Sequence, residues 1–420
     1  MKLLLLYPPY KEGTLLFSLP CLYSYLKQYA DVKVIDCPSE GINLRELIDK
    51  TASFNPDIIG VSIPSTVMFN SALKTIKALK KNFPSKLIVV GGIHATLCPE
   101  ELTPYCDFGI VGEGEQPLKE LLQGKKPQEK IIYGNKLDLD SLPFIDWNCI
   151  PYKKHNSKYN IARKKRMKYM PLFGSKGCVF NCYFCSNWVI SGRKMSYKSV
   201  DYLIKEIKYL LSTYNTKYLF FTDEVFTLDK ARAAEICNKI IENNLKFSWI
   251  CQTRAHLVDP ELLALMKKAG CDTISFGVES GNEEILKKID KGETKQQIID
   301  GVRLVKQAGI KVYGGFIIGH YWDNIKTVLQ TIKFADKLDL DCPNFHIATP
   351  FPKTKLAELI GDKLNKDYSR YITNDVVYVP EGLKHYNLRL LRRFAHLYFY
   401  LRRPRRAIPL IMRRLTRFIR

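Results

Sequence analysis

Five short apolar runs mark the first third of the chain: KLLLLY (2–7), DVKVIDC (31–37), DIIGVSIP (57–64), KLIVVGG (86–92) and FGIVGEG (108–114). Between them lie stretches of helical period such as SALKTIKALKKNF. Continuous apolar strands alternating with helices predict a parallel, doubly wound α/β sheet over residues 1–125. Ligands of such sheets sit beyond the carboxyl ends of the strands. That is where YPPY, DCPSEG, SIPST, GGIHAT and GEGE fall.

The pattern weakens over 126–168, a linker with KKPQEK, DLDSLPFIDW and the basic ARKKRMK. A second series follows over 169–360: YMPLFGSKG (169–177), KYLFFTDE (217–224), FSWICQTRA (247–255), TISFGVES (273–280), KVYGGFIIG (311–319) and NFHIATPFP (344–352). Six strands with helices such as VDYLIKEIKYLLSTY between them predict a partial (β/α)6 barrel, with its chemistry at the strands' C-terminal ends.

Residues 361–420 read as a basic helical tail. Leu388, Leu391, Phe394, Tyr398 and Leu401 recur at helical spacing, as do Ile408, Ile411, Leu415 and Ile419 after Pro404, with arginines on the other faces. The net charge is +23, and Gly382–Arg420 carries 12 of it with no acid. Residues 384–420 therefore suit an anionic membrane surface, or dock on the barrel with the arginines solvated. No run nears the roughly 20 apolar residues of a membrane span. The opening MKLLLLYPPY has too short an apolar core for a secretory leader and is expected to be a buried strand of a cytoplasmic protein.

Nine of the twelve cysteines are scattered, as small buried hydrophobes are. The other three are Cys178, Cys182 and Cys185 in GCVFNCYFCSN, a C-x3-C-x2-C spacing just after the first strand of the second series. Soft thiolates select zinc or iron–sulfur clusters. Structural zinc takes four ligands, and no Cys or His follows nearby to complete them. A cubane 4Fe-4S cluster held at three irons keeps its fourth free for a substrate.

These motifs, in this order, resemble the radical S-adenosylmethionine (SAM) enzymes that carry an N-terminal cobalamin-binding domain. The resemblance implies that the free iron chelates SAM, whose reductive cleavage gives a 5′-deoxyadenosyl radical that takes hydrogen from an unactivated carbon. It places Phe184 near the adenine, where barrel-mouth packing is the other reading. It gives Asp223 and Glu224 in FTDEVF the SAM ammonium, one of them otherwise a helix cap. It gives Glu279 and Ser280 in FGVESG the ribose, Gly315 in GGFIIG the adenine, and Arg254 the SAM carboxylate. GHYWDN departs from the family's glycine–proline–glycine–acid.

The first sheet resembles the cobalamin domain chiefly in GGIHAT and IVGEGE, which implies contacts from Pro8, Pro38, Ser62, Gly91, Gly92, His94, Gly112, Glu113 and Gly114. Pro38 stands where the familiar D-x-H-x-x-G motif has its cobalt-binding histidine, and His94 is either a substitute ligand or a turn histidine. For each glycine pair, plain turn chemistry is the alternative.

If cobalamin binds, C-methyl transfer is implied, with cyclisation or coupling as the alternative. The expected partners are a small-molecule or lipid substrate and a reductant such as flavodoxin or ferredoxin. An RNA methylthiotransferase is the weaker reading, because its second cysteine trio is missing and Cys21, Cys37, Cys98 and Cys106 lie far apart. Nucleic acid is thus an unlikely partner. A non-catalytic metal-binding protein anchored by the tail would bind metal without cleaving SAM.

Overall fold

The computed structural model describes residues 1–11, 17–154 and 169–404. Strands β1 (Lys2–Tyr7), β2 (Asp31–Asp36), β3 (Ile58–Ser62), β4 (Leu87–Gly91), β5 (Phe108–Gly112) and β6 (Ile131–Gly134) form one parallel sheet in the order β2-β1-β3-β4-β5-β6. The opening leucines are its centre, and Leu3 to Tyr7 are at most 1% exposed. Alternation splits them between two cores. Leu4 and Leu6 pack with Ile59 and Val61 on one face, while Leu3, Leu5 and Tyr7 meet Leu19, Leu118 and Leu121 on the other. Chain order reverses between β1 and β3, which is where doubly wound sheets open a crevice. The sheet continues past residue 125, since β6 pairs with β5 inside the stretch expected as linker.

The second sheet runs β7 (Met170–Leu172), β8 (Tyr218–Phe221), β9 (Ser248–Thr253), β10 (Cys271–Glu279), β11 (Lys311–Ile318) and β12 (Cys342–Ile347), parallel and in strict sequence. β7 and β12 are its two edges, so the barrel stays open. The helices between its strands carry ordinary stop and start signals. Asp229, Asp259, Thr294 and Asn324 each accept a hydrogen bond from a first-turn N–H.

Residues beyond the barrel clasp the first domain. Tyr368 OH donates to Glu101 Oε1 at 2.7 Å, and Tyr368, Tyr371 and Val377 pack with Phe69 and Phe351. The helix Leu388–Leu401 lies on the β12 edge. Its expected apolar stripe divides: Leu388 is buried against the barrel with Leu391 and Tyr398 partly packed on it, whereas Phe394 and Leu401 face outward. Ala395 and Phe399 complete the buried face, and Leu390 and Leu397 join the outward one, which is 45–70% exposed. The second half of the expected helix pair, Ile408 to Ile419, lies outside the described residues. Among the described residues no helix is long and apolar enough to cross a membrane.

Candidate active site

Beyond β7 the chain makes a two-residue ribbon, Ser175–Lys176 against Ser196–Tyr197. It then turns sharply at Gly177 (φ 108°), where a Cβ would sit 2.5 Å from the Lys194 carbonyl oxygen. The cysteine loop that follows is pinned by its backbone. Cys178 N–H donates to Gly192 O, Cys185 N–H to Cys182 O, and Tyr183 N–H to Ile289 O, while Tyr183 O accepts from Leu356 N–H. All three cysteines are half-buried. Burial raises the Cys182 thiol and pushes Cys185 to about 11, and neighbouring sulfurs of the trio add to both shifts.

Opposing groups favour the thiolates. Lys291 and Arg254 pull Cys182 down, Arg254 Nη2 donates to its Sγ over 3.2 Å, and Asn187 N–H donates to Cys185 Sγ at 3.4 Å. Among the described residues no three Cys, His, Asp or Glu side chains converge tightly enough for a single metal ion. Three neighbouring thiols with donors and cations aimed at the sulfurs fit the wider corners of a cubane cluster.

The residues expected around SAM sort themselves by what already holds them. Asp223 is tied back: it accepts from Gly174 N–H at 2.9 Å and Ser175 Oγ at 2.5 Å. Glu224 accepts from Asn187 Nδ2 at 3.1 Å and lines the cavity described below. Glu279 sits at φ 62°, where the β10–β11 register shifts, and its carboxylate meets the buried Lys291 ammonium at 3.3 Å. A left-handed Glu at a strand end is strained backbone of the kind that clusters at functional sites. Ser280 is fully buried, sharing a hydrogen bond with Thr331 Oγ1 and accepting from Asn282 N–H. A Cβ at Gly315 would meet only ordinary contact, so packing does not demand its glycine. At Gly314 a Cβ would lie 2.3 Å from Leu340.

The departure GHYWDN is a built turn. Asp323 accepts from Gly319 and His320 N–H, each at 2.9 Å, and its burial pushes its pKa up to about 6. The Tyr183 hydroxyl accepts from Tyr321 N–H and shares a 3.1 Å hydrogen bond with His320 Nδ1. His320 in turn lies 6.1 Å, centroid to centroid, from the ring of Phe184. The turn thus ties the cysteine loop to the end of β11.

A cavity of about 410 Å³ opens between the two domains. Of the residues expected to touch cobalamin, Ser62, Gly91, Gly92, Gly112, Glu113 and Gly114 line it. Its floor dips between β1, β3 and β4 at Leu5, Gly60 and Val89, and any Cβ at Gly60 would press on Leu5 at 2.8 Å. The facing wall comes from the barrel, from Phe173, Ser175 and Lys176 before the cysteine trio and from Ile190 and Ser191 after it. Lys176 Nζ bonds both oxygens of Glu113 at 3.0 Å. Glu115 beside them is buried, and burial together with Glu113 raises its pKa.

Three expected contacts lie elsewhere. Pro8 and Pro38 are not among the lining residues. Pro38 belongs to a one-turn helix, Cys37–Glu40, capped by Asp36 at the sheet's far edge. His94 sits in an aromatic box with Phe69 and Tyr368, its Nδ1 3.4 Å from Thr66 Oγ1, and burial lowers its pKa to about 4. No histidine is among the described lining residues, so none of them offers an imidazole to a guest.

Lys291, Glu293 and His256 were not legible as site residues. They form a chain behind Cys182, with Lys291 3.7 Å from Glu293 Oε2 and His256 Nδ1 3.1 Å from Glu293 Oε1. Lys291 and Glu293 lie in KIDKGET and His256 in TRAHL, and neither stretch carries a pattern that joins them.

Comparison with known proteins bears on both halves. Residues 172–335 match the model of the radical SAM superfamily, and residues 18–122 that of the B12 binding domain. The chain belongs to the cobalamin-binding radical SAM enzymes. An uncharacterized methyltransferase of Pyrococcus horikoshii is 33% identical to this radical SAM enzyme over 96% of its length and 93% of the relative's. The anaerobic magnesium-protoporphyrin IX monomethyl ester cyclase of Rubrivivax gelatinosus is 28% identical, over 91% of this chain and 74% of the cyclase. The fold is shared with the radical SAM methyltransferase TsrM of Kitasatospora setae, solved with cobalamin and a [4Fe-4S] cluster. That superposition has a TM-score of 0.73 at 17% identity, covering 94% of this chain and 90% of TsrM.

Proposed function

We propose that this radical SAM enzyme methylates an unactivated carbon of a small, apolar substrate, with cobalamin in the interdomain cavity and a 4Fe-4S cluster on Cys178, Cys182 and Cys185. The observation that carries the reading is the cavity itself. One wall is the glycine-rich strand ends of the first sheet, and the other is the residues flanking the cysteine loop on both sides. Both cofactors, so held, would lie within reach of one chamber. When bound, the cluster supplies the electron that splits SAM, and cobalamin supplies the methyl group.

The chain's own residues do the positioning. Glu224, held by Asn187 but lining the cavity, is the acceptor for the SAM ammonium, since Asp223 is spent on Gly174 and Ser175. Glu279, clamped by Lys291, offers an acceptor to the ribose hydroxyls, whereas the buried Ser280 is engaged by Thr331 and Asn282 behind it. Phe184 and the open face at Gly315 frame the adenine. The Lys176–Glu113 pair and the Tyr368–Glu101 hydrogen bond hold the two domains closed, which keeps water from a radical.

A second reading concerns place rather than chemistry. The outward stripe of Leu390, Phe394, Leu397 and Leu401, flanked by Arg393 and by Arg389 and Arg402, which pair with Asp375 and Asp336, suits the inner, anionic face of a membrane. Each cation near such a surface contributes about 1 kcal/mol. A membrane-partitioned substrate and a cytoplasmic reductant of the flavodoxin or ferredoxin kind would be consistent with that place.

The test is anaerobic expression with ample corrinoid, followed by the absorption spectrum and mass of what copurifies. Stoichiometric cobalamin supports the methyltransferase reading. A protein that takes up none rejects it.

A further inference from the structure

Arg254 stands just past the end of β9, only 5% exposed, and three contacts fix its guanidinium. Nη1 donates to the Lys291 carbonyl, Nη2 donates to Cys182 Sγ at 3.2 Å, and the guanidinium carbon lies 3.3 Å from the Phe180 ring centroid. No described carboxylate pairs with it within 4 Å, although two buried ones are close by. Those two, Glu279 and Glu293, are engaged by Lys291 and His256. Among the described residues the Cys182 sulfur is therefore the side-chain acceptor to which Arg254 gives a charge-assisted hydrogen bond.

A fixed cation that donates to a cluster thiolate stabilises the more negative, reduced cluster more than the oxidised one. Hydrogen bonds to cluster sulfurs are among the determinants of potential in such centres. We propose that Arg254 is a positioning residue that raises the reduction potential of the cluster through the Cys182 thiolate, rather than a partner of the SAM carboxylate. Lys291 serves the same end by anchoring Arg254 through its carbonyl and adding a second buried cation beside Cys182. The inference rests on the reading of the cysteine trio as the cluster's ligands.

The experiment is a redox titration of the reconstituted holoenzyme without SAM, followed by electron paramagnetic resonance. Arg254→Met is expected to lower the reduced-to-oxidised ratio at fixed potential about tenfold, a negative shift of about 59 mV for one electron. Iron and sulfide content should stay at the wild-type level, and Arg254→Lys should restore most of the shift. An unchanged midpoint in fully loaded Arg254→Met overturns the proposal.

Should that variant fail to load, the wild-type holoenzyme labelled with [15N]arginine answers instead. Electron spin-echo modulation of the reduced cluster should show a 15N coupling, and its absence overturns the proposal equally. Failure of the underlying cluster reading is distinguishable, because then the wild-type protein itself takes up no iron.

Discussion

The Lys176 ammonium bonds both carboxylate oxygens of Glu113 at 3.0 Å, joining the strand end that leads into the cysteine loop to the loop after β5 in the other domain. The two side chains are about a quarter exposed, at 27% and 26%. Lys176 also offsets the charge of the buried Glu115.

Lys176→Met should therefore leave two carboxylates crowded at the domain seam. The expected loss is about 1–3 kcal/mol, between the value of a surface pair and that of a fully buried one. Urea unfolding checks it, with Glu113→Gln as the second arm of a double-mutant cycle. Additive losses would show that the pair does not couple the domains.

Gly60→Leu should close the floor of the interdomain cavity, where even a Cβ presses on Leu5. We expect cobalamin uptake to fall at least tenfold while iron content is kept. Overpacking of this kind costs about 1–3 kcal/mol, which a thermal melt will register. Full cobalamin uptake by a folded Gly60→Leu protein would place the corrinoid elsewhere.

Burial holds His94 neutral, with its pKa lowered to about 4. The unfolded chain takes that proton near 6.5, so between the two values the unfolded state binds more protons. Stability from this site is present above pH 6.5 and is lost on acidification toward pH 4, in total on the order of 3 kcal/mol. His320, lowered to about 3, acts in the same direction, whereas Asp323, raised to about 6, opposes them. His94→Gln should flatten the dependence of melting temperature on pH in that window. A slope equal to wild type would mean that folding does not lower the His94 pKa.

The outward stripe of the Leu388–Leu401 helix gives a prediction with little folding penalty. Changing Leu390, Phe394, Leu397 and Leu401 together to Gln should abolish sedimentation with vesicles containing phosphatidylglycerol, with the melting temperature unchanged within a few degrees. Unaltered sedimentation would reject the membrane reading.

Period and composition carried the two sheets, because strands buried on both faces, such as LLLLY of β1, read as unbroken apolar runs. The cysteine loop was legible because its chemistry is local, with three thiols in eight residues. What sequence hid was decided by long-range partners. Asp223 and Glu224 look alike in FTDEVF, yet only Asp223 is claimed by Gly174 and Ser175, 49 and 48 residues away. His94 sits in GGIHAT beside cavity glycines, but Tyr368 from beyond the barrel receives its ring. Lys291 resembles any loop lysine until Glu279 and Glu293 are placed around it. The tail's apolar positions were read as one stripe, and only the β12 edge reveals that they form a packed face and an outward one.

The central claim, a three-cysteine cluster that binds and splits SAM, is tested most directly by 5′-deoxyadenosine. The reconstituted holoenzyme, incubated without oxygen with dithionite and SAM, should form it at least tenfold faster than a Cys182→Ala control. Equal formation by the two proteins, or none by the wild type with its iron in place, would contradict the account.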